Sequence, residues 1–384
     1  MPYMLSFFLF LFVSVNLSAS AESERLNNTP TNIIELGKAL FFDTNLSKNR
    51  TQSCSTCHDP EHAFTDSRDN QSQRAASLGD DGISFGDRSA PTLTYTSLTP
   101  AFQKNADGEY LGGFFHDGRA ENIITQAAEP IVNPIEMALS DAADVNYRIS
   151  ENPVYVRAFK NIFSENIFDD ADNLYTAVAQ SIAAFETSPQ FSSFDSKYDR
   201  YLSGEYKMTK QEDLGRRFFF SDLINCNSCH LLDLTPTYTR ETFSNYLYHN
   251  IGTPKNTSVR EINGLGSQYR DHGLLNNPAV KADEHKGKFK VPTLRNVSVT
   301  APYMHNGVFK ELRTVMLFYS QYMVTNAENQ VNPETGNPWG APEVDENIEF
   351  DLLRQRQPLD SYHITAILAF LNTLTDKRYE HLLE

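Results

Sequence analysis

Two five-residue strings constrain this chain more than anything else in it: "CSTCH" at 54–58 and "CNSCH" at 226–230. In Cys-x-x-Cys-His, two closely spaced thiols can bond to the vinyl groups of a haem, and the adjoining histidine then sits beneath the iron. Cys54, Cys57 and His58 form one such set; Cys226, Cys229 and His230 form the other. All four cysteines are thereby used, which leaves no thiol for a disulfide. Zinc is the main rival, since paired Cys-x-x-Cys knuckles bind that ion tetrahedrally. Such knuckles usually lie about 15 to 20 residues apart, whereas 168 residues separate Cys57 from Cys226. A thioredoxin-like pair would need one copy only, in a βαβ setting. The strings therefore imply two covalently bound c-type haems.

What precedes each string repeats as well. "LGKALFFDTNLSKNRTQSCSTCH" and "LGRRFFFSDLINCNSCH" share a Leu-Gly, an aromatic cluster (Phe41, Phe42; Phe218, Phe219, Phe220), an Asp and then the haem string. The two haem strings start 172 residues apart, far beyond the roughly 20 to 50 of solenoid units. We therefore expect two duplicated haem domains, residues 22–190 and 191–384, with the polar, turn-rich stretch 187–205 joining them. Helical patterns dominate. Leu174, Val178, Ile182 and Phe185 share a face over 171–186, as do Ile364, Ile367, Leu368, Leu371 and Leu374 after an Asp or Ser cap. No run alternates like a strand for long, so the expected class is mostly α. Residues 66–90 and 324–350 read as long irregular loops of the kind that cover a site.

The opening "MPYMLSFFLFLFVSVNLSASAES" has an apolar run too short to cross a bilayer comfortably and ends in small residues. Residues 1–21 are expected to be a cleaved secretory signal. The missing positive n-region leaves a retained anchor as the alternative. Export and covalent haem agree with a periplasmic protein that has no membrane span after cleavage. The net charge of −16 excludes a nucleic-acid partner, which would need a basic stripe. An acidic surface suits a basic redox partner, or simply a soluble protein.

Three further strings carry a family resemblance: "GGFFHDGRAENIITQAAEPIVNPIEM" at 112–137, "YHNIGTP" at 248–254 and "GKFKVPTLRNVSVTAPYMHNGVFKELRTVMLFY" at 287–319. With the haem strings, they resemble the bacterial di-haem cytochrome c peroxidases and their relative MauG over essentially the whole mature chain. The resemblance implies two cytochrome-c-like domains, with a peroxide-reacting haem in the first and an electron-transfer haem in the second. It also implies calcium between them, at the backbone carbonyls of Thr300 and Pro302. A homodimer is compatible with it.

By the same resemblance, Glu136 is the acid–base group over the first iron and Gln126 its hydrogen-bonding neighbour. Where conventional members carry a histidine that covers this iron, this chain has Arg74. His62 is the one histidine in the following loop, and it reads as packing beside the string or facing water. The first iron is therefore expected to be open. At the second haem, the position of the conventional methionine ligand is Tyr319, as in MauG, with Met316 and Met323 as competitors on the same helix. A phenolate favours higher oxidation states than a thioether does. His305 is expected beside this haem. One departure stands out: the tryptophan that usually precedes "DGRA" and relays electrons is here His116, and the only tryptophan is Trp339. His116 reads equally as a relay or as a structural residue near a propionate.

These features support an oxidoreductase that takes hydrogen peroxide at the first haem. Oxidising equivalents then pass either to a protein substrate, or peroxide is reduced with electrons from a small cytochrome or copper protein. An electron-transfer protein without peroxide chemistry would give Glu136 and Gln126 no role.

Overall fold

The computed structural model describes residues 29–231, 239–323, 327–354 and 357–383, so the expected signal segment lies outside the described residues. In chain order the helices are α1 Ile33–Phe41, α2 Cys54–Cys57, α3 Ile123–Val132, α4 Ala142–Ser150, α5 Pro153–Ile162 and α6 Ala171–Glu186. Then follow α7 Lys197–Leu202, α8 Lys210–Phe219, α9 Thr257–Ile262, α10 Leu312–Ser320, α11 Phe350–Arg354 and α12 Ser361–Asn372. Among the described residues, strands are confined to two antiparallel ladders, β1 Gln103–Lys104 with β2 Tyr110–Leu111, and β3 Tyr248–His249 with β4 Phe289–Lys290. The mostly α expectation holds.

Both predicted helices form where their periodicity places them. Leu174, Val178, Ile182 and Phe185 are buried along α6; Ile364, Ile367 and Leu371 are buried along α12, and Leu374 just beyond it. The Asp360 carboxylate caps α12 by accepting from His363 N.

Each half is organised by one close helix crossing. α1 starts at Asn32, whose side chain accepts from the amides of Ile34 and Glu35. Midway along it, Gly37 meets α6 so closely that a Cβ would lie 1.7 Å from the Ser181 carbonyl oxygen. α8 starts at a capping box of Thr209 and Glu212. There a Cβ on Gly215 would lie 1.8 Å from the Ala366 carbonyl oxygen of α12. The Leu-Gly of the repeated strings thus has a physical reason, because only glycine lets these helices meet backbone to backbone. Phe41 and Phe219, each four residues on, are buried against Phe185 and Phe370 at 5.3 and 5.2 Å between ring centroids.

Two apolar cores result, one drawn from Leu36 to Phe191 and the other from Tyr198 to Leu374. The stretch 187–205 runs from one core to the other. Phe191 is buried in the first core and Tyr198 in the second, and Ser196 with Asp199 forms the capping box that starts α7. Its polar composition hides two aromatic anchors. Residues 66–90 carry neither helix nor ladder, only an isolated bridge between Leu78 and Phe85.

Gly37→Ala and Gly215→Ala should each destabilise the holoprotein by about 1–3 kcal/mol, the usual size of overpacking, seen as an earlier denaturant midpoint. Gly86→Ala, whose Cβ would come no closer than 3.7 Å to its nearest contact, should leave that midpoint in place. Equal midpoints for all three would remove the crossing argument.

Candidate functional site: two cavities and a shared wall

The histidines of the two haem strings are held in the same way. His58 Nδ1 donates to the Phe64 carbonyl at 3.0 Å, and His230 Nδ1 to the Phe243 carbonyl at 3.1 Å. A carbonyl only accepts, so each ring keeps its proton on Nδ1 and presents the lone pair of Nε2, the form that binds a metal. Burial also holds His58 below the ordinary imidazole value. Phe64 and Phe243 turn the chain back in left-handed conformations, φ 54° and 56°. Beside each turn, a threonine hydroxyl (Thr92, Thr293) donates to a backbone carbonyl (Ala63, Thr242) at 2.6 Å.

Each histidine faces a cavity. The first, of about 400 Å³, is lined by Cys57, His58, Gln126, Pro130 and Glu136. The second, of about 260 Å³, is lined by Cys226, Cys229, His230, Met316, Tyr319 and Met323. None of the four cysteines is in a disulfide. Cys54 packs against the first core. A Cys-x-x-Cys thiol pair followed by an imidazole whose Nε2 lone pair is free is the donor set a c-type haem requires; Cys57 with His58 lines the first cavity, and Cys226, Cys229 and His230 line the second.

The structure brings Glu136 and Gln126 to one wall of the first cavity. Asn133 Nδ2 donates to Glu136 Oε1 at 2.8 Å, and burial raises the Glu136 pKa. Arg74 does not line this cavity; its Nε donates to the Asp66 carbonyl at 3.2 Å. His62 does not line it either, and pairs with Asp59 at 2.8 Å. Among the described residues, His116 is the only lining histidine besides His58.

At the second cavity, all three ligand candidates on or just after α10 reach the lining. His305 lies flat on Phe289, with centroids 3.5 Å apart and planes 10° apart, and burial pushes its pKa well down. Thr300 and Pro302 border the same cavity. Trp339 lies outside both cavities, donating to the Asn329 carbonyl at 2.8 Å and packing on Phe309 and Phe318.

One wall serves both cavities: Ser89, His116 and Lys290 face each of them, as do the Pro-Thr pairs 91–92 and 292–293. The two halves bond reciprocally across it. Ser89 N donates to the His305 carbonyl at 2.8 Å, and Lys290 N to the His116 carbonyl at 3.0 Å. His116 Nε2 lies 3.0 Å from the Ser89 carbonyl, so its proton is on Nε2. Burial first, then the nearby Arg88 charge, pulls the His116 pKa down to about 4, and the ring is neutral.

Two lining residues were not evident from the sequence: Lys290, and His249 of the second cavity, whose Nδ1 lies 2.5 Å from Glu349 Oε2. Both fall within the family-like strings, and the paired "PTL" at 91–93 and 292–294 was the signal that could have located the wall.

A family model described as "Di-haem cytochrome c peroxidase" matches residues 31–207. The chain is 49% identical to the methylamine utilization protein MauG of Paracoccus denitrificans (strain Pd 1222), covering 91% of this chain and 90% of that protein. It is 30% identical to a cytochrome c551 peroxidase of Nitrosomonas europaea, covering 73% and 70% respectively. Among solved structures it is similar to the diheme peroxidase BthA from Burkholderia thailandensis E264, with a TM-score of 0.81 and 28% identity over 91% of this chain and 87% of that one.

Glu186, the last residue of α6, is a further group the sequence did not flag. It is 4% exposed, and among the described residues its Oε2 has no hydrogen-bond partner. Burial alone pushes its pKa up to about 8; burial first, and then the Glu186 charge, raises the neighbouring Cys54 thiol. An unfolded glutamate titrates near ~4.3, so between these values the folded state holds a proton that the unfolded state has lost. Stability from this group is therefore present at low pH, falls as pH rises towards about 8, and levels off above it. Glu186→Gln should flatten that fall and be more stable than wild type at pH 8, as read from denaturant midpoints across pH. Parallel profiles would show that Glu186 is not buried as described.

Proposed function

Because the chain belongs to the di-haem cytochrome c peroxidase and MauG family of oxidoreductases, we propose that it reacts with hydrogen peroxide at the His58 cavity and oxidises a protein substrate through the His230 cavity. The observation that carries this reading is Tyr319 in the lining of the second cavity. Tyr319 there is the proposed iron ligand, an anionic oxygen donor that stabilises oxidised iron. One of the similar solved structures is a tyrosine-to-methionine variant of BthA.

Bound at these two sites, haem supplies an iron that takes up peroxide oxygen and a pair of redox centres that accept two oxidising equivalents. The chain supplies the proton movement. Glu136, held by Asn133, takes the proton from the near peroxide oxygen and returns it to the far one as the O–O bond breaks. The Gln126 amide orients the peroxide from α3. Overall, one peroxide takes two electrons and two protons and leaves as two waters. The electrons come from the protein substrate. Neither Arg74 nor His62 lines the cavity, so neither would cover an iron held by His58, and peroxide would reach it without prior reduction.

The repeated Gly crossings, His–carbonyl bonds and threonine–carbonyl bonds support two duplicated domains, 22–190 and 191–384. The leader at 1–21 supports a periplasmic location, and among the described residues no helix is long and apolar enough to cross a membrane. Calcium is proposed at the Thr300 and Pro302 carbonyls, hard oxygen donors that need water to complete the shell.

A second reading is a conventional peroxidase fed by a small redox protein. Met316 and Met323 favour it, since each offers a thioether to the same cavity. One equivalent of peroxide added to the fully oxidised holoprotein in a stopped-flow spectrometer separates the two. We expect immediate reaction and a two-electron-oxidised protein that lasts seconds to minutes without donor. A requirement for prereduction would instead establish the conventional peroxidase.

Tyr319→Phe should leave the first step intact and shorten that lifetime; an unchanged spectrum and lifetime would remove Tyr319 as ligand. Glu136→Gln should slow peroxide cleavage by about 10² to 10⁴. Glu136 must be ionised to take the first proton, so the wild-type rate should fall as pH drops through its raised pKa, above the ordinary ~4.3. A Glu136→Gln variant of normal speed and pH profile would leave Glu136 without a role.

A further inference from the structure

The shared wall holds a cation that lacks an anion. Among lysines and arginines of the described residues, Arg88, Arg119 and Lys290 line the first cavity and Lys290 alone lines the second. Arg88 is taken by Asp271 at 2.6 Å and Asp117 at 2.8 Å; Arg119 is taken by Asp117 at 3.2 Å and Glu129 at 3.1 Å. Lys290 has no such partner among the described residues. Its Nζ donates to the Gly113 carbonyl and lies 5.7 Å from the centroid of the Phe114 ring. An ammonium has three protons to place, and one carbonyl places one.

Burial pulls the Lys290 pKa down to about 8, with Asp117 opposing. A buried ammonium without a counter-charge is costly, and the cost is relieved by an anion brought to it. Its position is not adjustable at the backbone, because Lys290 N is bonded to the His116 carbonyl and β4 pairs with β3. The missing anion must come from what fills the cavities. Each haem carries two propionate carboxylates, and they are the anions that both cavities would receive.

We propose that the Lys290 ammonium pairs with a haem propionate at the wall between the two cavities. The inference rests on the two-haem reading above. A fixed positive charge beside a propionate favours the reduced, less positive haem and so raises its potential. Facing both cavities, Lys290 sets the potential of the haem whose propionate it holds relative to the other.

The test is a spectroelectrochemical titration of the holoprotein as wild type, Lys290→Gln and Lys290→Arg. Lys290→Gln should lower the potential of at least one haem by about 59 mV, a tenfold change in its oxidised-to-reduced ratio for one electron. Lys290→Arg should restore most of it. Unchanged potentials in Lys290→Gln, with only an earlier unfolding midpoint, would make Lys290 a strut for the Gly113 carbonyl and overturn the proposal. Should Lys290→Gln fail to accumulate, a crystal structure of the wild-type holoprotein decides. Nζ within about 3.2 Å of a propionate oxygen supports the pairing, and Nζ on the Gly113 carbonyl alone overturns it. Fewer than two haems per chain in a pyridine haemochrome assay would instead remove the two-haem reading, and the proposal with it.

Discussion

In both halves the histidine of the haem string gives its Nδ1 proton to a main-chain carbonyl, Phe64 in one and Phe243 in the other. That bond decides which nitrogen faces the cavity, and much of the surrounding structure serves to hold its acceptor still. Phe64 and Phe243 are left-handed, a conformation that a bulky residue adopts only where packing over-determines it. The packing is aromatic. Phe64 stacks on Phe191 at 4.3 Å, while Phe243 meets Phe219 at 5.8 Å and Tyr198 at 5.5 Å. Those rings are in place because α1 crosses α6 at Gly37 and α8 crosses α12 at Gly215. Helix contact, aromatic core, carbonyl position and imidazole orientation thus form one chain of cause.

The wall shows how the halves depend on each other. "FFHDG" at 114–118 and "YMHNG" at 303–307 adopt the same local form: bridges join Phe114 to Ala120 and Tyr303 to Phe309, and Phe115 and Met304 both have positive φ. In that register His116 matches His305 and Gly113 matches Pro302. The segments before the two "PTL" strings match likewise, setting Ser89 against Lys290. The reciprocal bonds from Ser89 to His305 and from Lys290 to His116 are then one interaction made twice with the halves exchanged. The side chains break the symmetry. At Ser89 the hydroxyl donates to the Met304 carbonyl at 3.1 Å, whereas at Lys290 the same place carries a charge.

What was legible in the sequence was mostly local. A haem string needs five consecutive residues, and α6 and α12 announce themselves by periodicity within their own length. Glu136, Gln126 and Tyr319 were legible through longer strings, and the structure sets the first two on one cavity and the third on the other. Lys290, His249 and Glu186 were not, since each matters through neighbours far away in the chain. Lys290 acquires its meaning from Gly113 and His116, and His249 from Glu349. Glu186 ends a well-patterned helix, and nothing in its own turn tells that the carboxylate is buried beside Cys54. In the join at 187–205 the average polarity hid two single aromatic anchors, Phe191 and Tyr198.

His116 bears on how charge crosses between the cavities. A residue that holds an electron hole usefully must be oxidised at reachable cost, and for imidazole that cost falls only if a base takes the ring proton. Here the Nε2 proton is given to the Ser89 carbonyl, which is too weak a base to accept it. Arg88, whose charge already depresses the ring's proton affinity, opposes a further positive charge there. Both effects argue against a resident hole on His116 and favour a bracing role for it in the wall. Because Ser89, His116 and Lys290 each face both cavities, the ring belongs to the wall that joins the halves, and holding that wall in place is the task its neutral, hydrogen-bonded state suits.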